Sequence, residues 1–167
     1  LGLSTKMIGF VNGIVPVLAF ILGSLLAGQY IAKKGLKKTL FILCLCFNIP
    51  FSVYALLAIF QPTNMYLIGS LIVFEYFGYG FGFVGLILYM MQQIAPGKYK
   101  MSHYAIASGL MNLGFLLAMM VSGYLSDKFG YKIFFIIVLI ATIPSLVMTW
   151  FAPFSYPDKA EEEAIEA

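Results

Sequence analysis

One acidic residue, Glu75, lies in a part of the sequence that is otherwise free of charge. It is the only Asp, Glu, Lys or Arg in the apolar run Met65–Ile94. At a helical rise of ~1.5 Å per residue, a helix over this run would place it ~15 Å deep, near the middle of a ~30 Å hydrocarbon core. A carboxyl group there is costly, which favours a position facing protein or a water-filled cavity. Glu75 is therefore a candidate for taking up and releasing a proton.

Other polar side chains share helix faces inside apolar runs. Glu75 and Tyr79 are four residues apart on one predicted helix, and Ser108 and Asn112 are four apart on a later one. Together with Asn12 in the first run, these residues form the candidate substrate and proton pathway. The second run adds further polar positions, Asn48 and Tyr54. A structural interpretation stays open, in which a protonated Glu75 holds two helices together by a hydrogen bond.

No set of residues in the sequence supports an enzyme, a cofactor or a metal centre. Asp127 is expected in a loop and His103 at a helix start, so neither a Ser/His/Asp triad nor a pair of acids can be assembled. Cys44 and Cys46 are two residues apart and point in different directions on a helix, so they cannot form a zinc site with one histidine. We interpret both cysteines as small apolar fillers.

The composition is typical of an integral membrane protein. Of the 167 residues, 62% are hydrophobic and 10% are charged, whereas soluble domains are about half apolar and a quarter charged. The net charge of +3 is the difference between ten lysines and seven acidic residues, since the sequence contains no arginine. These lysines lie at the ends of apolar runs, so no groove for nucleic acid is expected.

Five apolar segments approach or exceed the ~20 residues that a transmembrane helix needs. They predict one domain over residues 1–153, an all-α polytopic bundle with five transmembrane helices: about Met7–Ile31, Thr39–Phe60, Met65–Ile94, Tyr104–Leu125 and Ile133–Phe151. The predicted connections are short: Ala32–Lys38, Gln61–Asn64, Ala95–His103 and Ser126–Lys132. Successive helices are therefore expected to run antiparallel as neighbours.

The distribution of small and polar residues predicts a role for each helix. Gly78, Gly82 and Gly85 in the third run let another backbone come close or let the helix bend around a cavity. The pair Gly23 and Ala27 favours close packing of the first helix. Predicted helices one, three and four hold most of the polarity and are expected to line the cavity, whereas the fifth has no ionisable group and is expected to face lipid.

The lysines predict the orientation of the bundle. Seven lie on one side: Lys33, Lys34, Lys37, Lys38, Lys98, Lys100 and Lys159. Three lie on the other: Lys6, Lys128 and Lys132. This puts the first and third connections and the acidic tail at 154–167 in the cytoplasm. Because the chain opens on Leu1 without an initiator methionine, we expect a piece of a longer protein.

Two stretches resemble the signature loop of the major facilitator superfamily, in which a glycine precedes an acidic residue, a basic residue and a second glycine. The closer match has all four positions: Gly123, Asp127, Lys128 and Gly130. The other has Ala32 in place of the acid but keeps its glycines and basic residues: Gly28, Lys33, Gly35, Lys37 and Lys38. In that family the loop is cytoplasmic, which suits the second stretch, whereas the first falls in a predicted external loop.

The segments Phe74–Gly82 and Gly97–Met111 resemble the C-terminal half of AmpG-like muropeptide permeases, whose relatives include acetyl-CoA transporters. The resemblance implies five of the six helices of that half, with the N-terminal half and the seventh helix as partners outside this chain. It also implies a bacterial inner-membrane transporter that takes up a small organic solute, such as a muropeptide or an amino sugar, together with protons by alternating access. The alternative is a non-transporting membrane scaffold or binding protein.

Overall fold

A computed structural model describes residues 13–62 and 64–157. These residues form helices joined by short connections, with no strand among them: α1 (Ile14–Lys34), α2 (Leu36–Asn48), α3 (Pro50–Phe60), α4 (Met65–Tyr89), a π-helical turn (Met90–Ile94) and α5 (Lys100–Trp150). In this described part, four helical stretches are long and apolar enough to cross a membrane: Ile14–Lys34, Leu36–Phe60, Tyr66–Ile94 and Lys100–Trp150. The predicted all-α membrane bundle is confirmed.

The fourth and fifth predicted helices lie within α5, which is divided at Gly130. A straight helix of 51 residues would be ~75 Å long, more than twice the thickness of a ~30 Å hydrocarbon core. Gly130 has φ 74° and ψ 161°, a non-helical conformation that is open essentially to glycine alone. The break separates a first half of α5 (100–129) from a second half (131–150). The predicted loop Ser126–Lys132 is thus reduced to one non-helical residue.

The first connection is also shorter than predicted. The sequence indicated a loop over Ala32–Lys38, but α1 continues to Lys34 and α2 begins at Leu36. Gly35 alone joins them, with φ 81° and ψ 151°. The hydroxyl of Thr39, which is fully buried, donates to the Gly35 carbonyl at 2.8 Å. This hydrogen bond satisfies a carbonyl at the turn, so no longer loop is needed.

Pro50 divides the second span into α2 and α3. Because proline has no N–H, the Cys46 carbonyl four residues earlier loses its helical partner. That carbonyl oxygen lies against Gly78 of α4, where an added Cβ would be 2.8 Å from it. The ring of Pro50 approaches the same position equally closely. The second span and α4 therefore fit together where one has a proline and the other a glycine.

Glycines hold α1 and α4 in backbone contact. A Cβ at Gly23 of α1 would overlap the Phe77 carbonyl, and a Cβ at Gly80 of α4 would overlap the Phe20 carbonyl. The Ser24 hydroxyl donates to the Gly80 carbonyl across the interface at 3.2 Å. This confirms the predicted close packing of the Gly23 face. α1 also contacts its successor α2, but it packs more extensively on α4.

The opposite face of α4 packs on the second span. A Cβ at Gly82 would overlap the Leu43 carbonyl, and one at Gly85 would meet the Leu43 side chain. The buried core continues from here to the Gly35 turn: Ala27, Ile31, Leu36, Leu40 and Leu43. α4 is therefore the central helix, with glycines on both of its packed faces.

Candidate functional site

Glu75 is half-buried and faces the second span. The hydroxyl of Tyr54 in α3 donates to Glu75 Oε2 at 2.5 Å. The ring of Phe135, in the second half of α5, stacks on Tyr54 with 5.6 Å between centroids and 13° between planes. The carboxyl group thus has a protein partner inside the membrane, and that partner is held in place by a third helix.

Tyr79 lies one helical turn from Glu75 at the centre of an aromatic cluster. Its ring centroid is 5.7 Å from that of Phe20 in α1, 4.9 Å from Phe47 in α2 and 5.6 Å from Phe83 in α4. Tyr79 therefore connects α4 to two other spans, through Phe20 and Phe47. Glu75 and Tyr79 share the face of α4 that looks onto the second span.

Ser108 and Asn112 lie apart from this pair. Both bond to carbonyls of their own helix, since Ser108 Oγ donates to Ala105 at 3.1 Å and Asn112 Nδ2 donates to Ser108 at 2.9 Å. Among the described residues, α5 comes within 8 Å, measured between Cα atoms, of the second span and the π-helical turn but not of α1 or α4. The structure therefore brings Glu75 and Tyr79 together and leaves Ser108 and Asn112 separate. Asn12 lies outside the described residues.

The two signature-like stretches have similar backbone geometry. Lys33 lies in the last turn of α1, and Lys37 and Lys38 lie in the first turn of α2. Gly35 stands between the two helices. Gly28 lies on an open part of α1, where an added Cβ would meet nothing within 4 Å.

In the other stretch, Gly123, Asp127 and Lys128 are helical and Gly130 is the break. Lys128 Nζ lies 5.6 Å from the ring centroid of Tyr124 and 5.5 Å from that of Phe129. Both stretches are therefore helix–glycine–helix breaks rather than open loops.

A polar cluster that the sequence did not indicate joins α2 to the second half of α5. Asn48 Nδ2 donates to the Cys44 carbonyl at 2.7 Å and to Ser145 Oγ at 3.4 Å. Thr149 Oγ1 donates to Cys44 Sγ at 3.2 Å and to the Ser145 carbonyl at 2.9 Å. The fifth predicted helix thus packs on the second span instead of only facing lipid. The spacing of Ser145 and Thr149, one turn apart, was the available signal.

A cavity of about 330 Å³ lies next to this cluster, between α2, α4 and the end of α5. Apolar side chains form most of its wall, including Leu40, Phe47, Leu86 and Met148. Glu75 does not line it. This cavity lies between predicted helices two, three and five, whereas a more open hollow of about 570 Å³ lies between predicted helices one and three.

A short segment after α5, residues 152–157, is bound to the end of α4; we call it the strap. The Tyr89 hydroxyl donates to the Pro153 carbonyl at 2.8 Å. Gln93, in the π-helical turn, accepts from the N–H groups of Ser155 and Tyr156 at 3.0 and 3.1 Å and donates to the Tyr156 carbonyl at 3.0 Å. The end of the described chain is thus held by side chains of the third span.

Comparison with known proteins identifies the family. The Major Facilitator Superfamily profile matches residues 1–167. The chain belongs to the major facilitator superfamily. Membership in this superfamily agrees with the apolar helices, which are typical of an integral membrane protein. No solved structure matches the chain significantly.

Two of three similar curated proteins carry a permease or transporter name. The chain is 24% identical over 147 residues to the "Anhydromuropeptide permease" of Escherichia coli K12, covering 88% of this chain and 30% of the relative. It is 26% identical over 132 residues to the "Putative transporter AmpG 1" of Rickettsia bellii, covering 79% and 32%. An uncharacterized protein of Haemophilus influenzae is 25% identical over 160 residues, covering 92% and 37%. The chain spans about a third of the length of these relatives.

Proposed function

We propose that the chain is part of a secondary active transporter that couples the movement of protons to the uptake of a small organic solute by alternating access. The observation that carries the proposal is the hydrogen bond between Tyr54 and Glu75. A phenolic hydroxyl can donate to a carboxylate and can also accept from a carboxylic acid. Tyr54 can therefore form a hydrogen bond with Glu75 in both protonation states, as a proton carrier requires. A lysine ammonium group in its place could not accept the proton of a carboxylic acid.

The proposed solute is a muropeptide or an amino sugar. Two features support this class: the resemblance to permeases of that name, and the aromatic cluster around Tyr79, which offers flat apolar surfaces beside a hydroxyl. Ser108, Asn112 and Asn12 would add hydrogen-bonding groups. Because the first half of α5 contacts neither α1 nor α4, we propose that it meets the N-terminal half of the transporter, with the substrate between them.

We further propose a bacterial inner-membrane location with the lysine-rich connections and the C-terminus in the cytoplasm. The lysines at the α1–α2 turn and at 98–100 support this orientation through the excess of basic residues on cytoplasmic loops. A single cysteine introduced at Lys98 should react with a membrane-impermeant maleimide in inverted vesicles and not in intact cells. Labelling in intact cells would reverse the orientation.

The decisive experiment is proton-driven uptake by the full transporter in proteoliposomes. Glu75→Gln should abolish anhydromuropeptide accumulation driven by an imposed pH gradient while keeping solute exchange at equal concentrations, because exchange needs no net proton movement. Glu161→Gln is the matched control, since it makes the same change in the acidic tail at 154–167, and it should keep both activities. Full proton-driven uptake in Glu75→Gln would remove Glu75 from the mechanism.

A non-transporting scaffold is the second candidate, and the same hydrogen bond favours it. Tyr54 and Glu75 join α3 to α4, and Glu75 does not line the cavity beside Cys44. Both facts suit a packing role. Counterflow by the full protein separates the candidates, because a scaffold gives no exchange of labelled solute.

A further inference from the structure

The cavity beside Cys44 is open at the surface of the bundle, among helices that are apolar enough to span a membrane. Two of its wall residues, Met148 and Leu86, are 72% and 38% exposed. On α2 the wall consists of Leu40, Cys44 and Phe47, which share one helix face. This face covers ~10 Å along the helix axis, parallel to the acyl chains of one leaflet.

The polar atoms in this wall are already hydrogen-bonded within the protein. Thr149 donates to Ser145 and Cys44, and the Tyr89 hydroxyl donates to Pro153. A polar solute would therefore find few groups to bind, whereas a hydrocarbon chain needs none. The volume of about 330 Å³ is roughly twice the ~150 Å³ of an apolar cavity that holds benzene, which is room for a length of acyl chain.

Two lysines come just before the cavity wall along α2, in the first turn of that helix. Lys37 is three residues before Leu40 and seven before Cys44, so it lies on the same face of α2 as the wall. Lys38 precedes Phe41 by three residues, and Phe41 packs against Trp150 of α5 with 5.2 Å between ring centroids. Positive charge and an apolar hollow thus follow one another along one helix.

We propose that this cavity binds an anionic phospholipid of the leaflet adjoining the α1–α2 turn, with one acyl chain between α2, α4 and α5 and its phosphate on Lys37 and Lys38. In a bilayer the chain already lies in an apolar medium, so the cavity alone gives no preference among lipids. The headgroup charge sets the preference, because a basic residue near the surface attracts anionic lipids. The site is separate from Glu75 and does not depend on transport.

Trp150 provides a reporter, since it is the only tryptophan in the sequence and follows Thr149 in the cavity wall. Brominated acyl chains quench tryptophan on contact. With the protein in vesicles, brominated phosphatidylglycerol should quench Trp150 with an apparent affinity several-fold above that of brominated phosphatidylcholine. Lys37→Gln should reduce that ratio roughly five-fold, which corresponds to about 1 kcal/mol for one lysine.

Two further variants test the cavity and the charge separately. Ala152→Leu fills the hollow and should remove the anionic preference, whereas Ala118→Leu, on the exposed first half of α5, should keep it. Lys100→Gln removes a lysine from the other connection and should leave Trp150 quenching unchanged. Equal quenching by the two lipids, or an unchanged ratio in Lys37→Gln, would overturn the proposal. Relief of quenching by soluble glycerol phosphate would also overturn it, since it would show a headgroup site without a chain.

Discussion

Gly35 and Gly130 adopt nearly the same backbone conformation at the same position of two similar sequences. Their φ and ψ angles are 81° and 151° in one case and 74° and 161° in the other. Each lies seven residues after the first glycine of its stretch, Gly28 or Gly123. The resemblance between the stretches therefore extends to their structure, because both end one helix and start the next at a single residue.

Replacing Gly130 tests how much the break depends on glycine. An added Cβ would meet nothing within 4 Å there, so the cost of Gly130→Ala comes from the backbone conformation alone, about 1–3 kcal/mol of unfolding free energy. Gly123→Ala, at a helical and open position, should instead stabilise by up to ~1 kcal/mol. Unfolding in mixed detergent micelles measures both. Equal and small effects would mean that the break at Gly130 is not required.

Replacing Gly82 tests the glycine contact between α4 and α2. Gly82→Ala places a methyl group on the Leu43 carbonyl and the Phe47 backbone, which cannot move without separating the helices. We expect a loss of about 2–3 kcal/mol in unfolding free energy. Gly28→Ala on α1 has open space around it and should be neutral or slightly stabilising. If Gly82→Ala changes the unfolding free energy no more than Gly28→Ala does, α2 and α4 are not in backbone contact at Gly82.

The Tyr54–Glu75 hydrogen bond can be measured by a double-mutant cycle. Tyr54→Phe removes the donor and should lower the unfolding free energy by about 1–2 kcal/mol, as expected for a hydrogen bond between membrane helices. The same change should cost much less in a Glu75→Gln background, because the residues form one interaction. Additive effects would show that the two side chains are independent.

Gln93 and Gln92 should respond in opposite ways to the same substitution. Gln93→Leu removes three hydrogen bonds to the strap, so amide hydrogen exchange at residues 155–156 should rise at least ten-fold. Gln92 Oε1 is buried and has no hydrogen-bond partner in the described part of the chain. Gln92→Leu should therefore leave the strap protected and keep or raise the unfolding free energy. Unchanged amide hydrogen exchange at residues 155–156 in Gln93→Leu would show that Gln93 does not hold the strap.

Much of the fold was predictable because helix length and hydrophobicity are local properties. The third run, predicted as Met65–Ile94, contains the span Tyr66–Ile94, and Gly78, Gly82 and Gly85 lie in close contact with the second span. The breaks were less predictable. Lysines near Gly35 indicated a loop, but charged residues at helix ends extend into water without ending the helix, so only the glycine itself departs from helical geometry.

The site was predictable on one helix but not between helices. The shared face of Glu75 and Tyr79 follows from their spacing. The pairing of Glu75 with Tyr54 depends instead on how two spans pack against each other at Gly78 and Pro50. The residue periodicity of either span alone does not predict that packing. For the same reason the fifth predicted helix was expected to face lipid, since Ser145 and Thr149 could equally well bond to their own backbone.

The π-helical turn gives the end of α4 a possible change of register. Such a turn contains one residue more than an α-helical turn. If the extra residue shifted along the helix, the side chains between its old and new positions would rotate about the helix axis by about 100°. Gln93 would then swing away from Ser155 and Tyr156, and all three of its bonds would break together. A small internal slip in α4 would thus free Ser155 and Tyr156 together without any displacement of α5, while the hydrogen bond from Tyr89 would still hold Pro153.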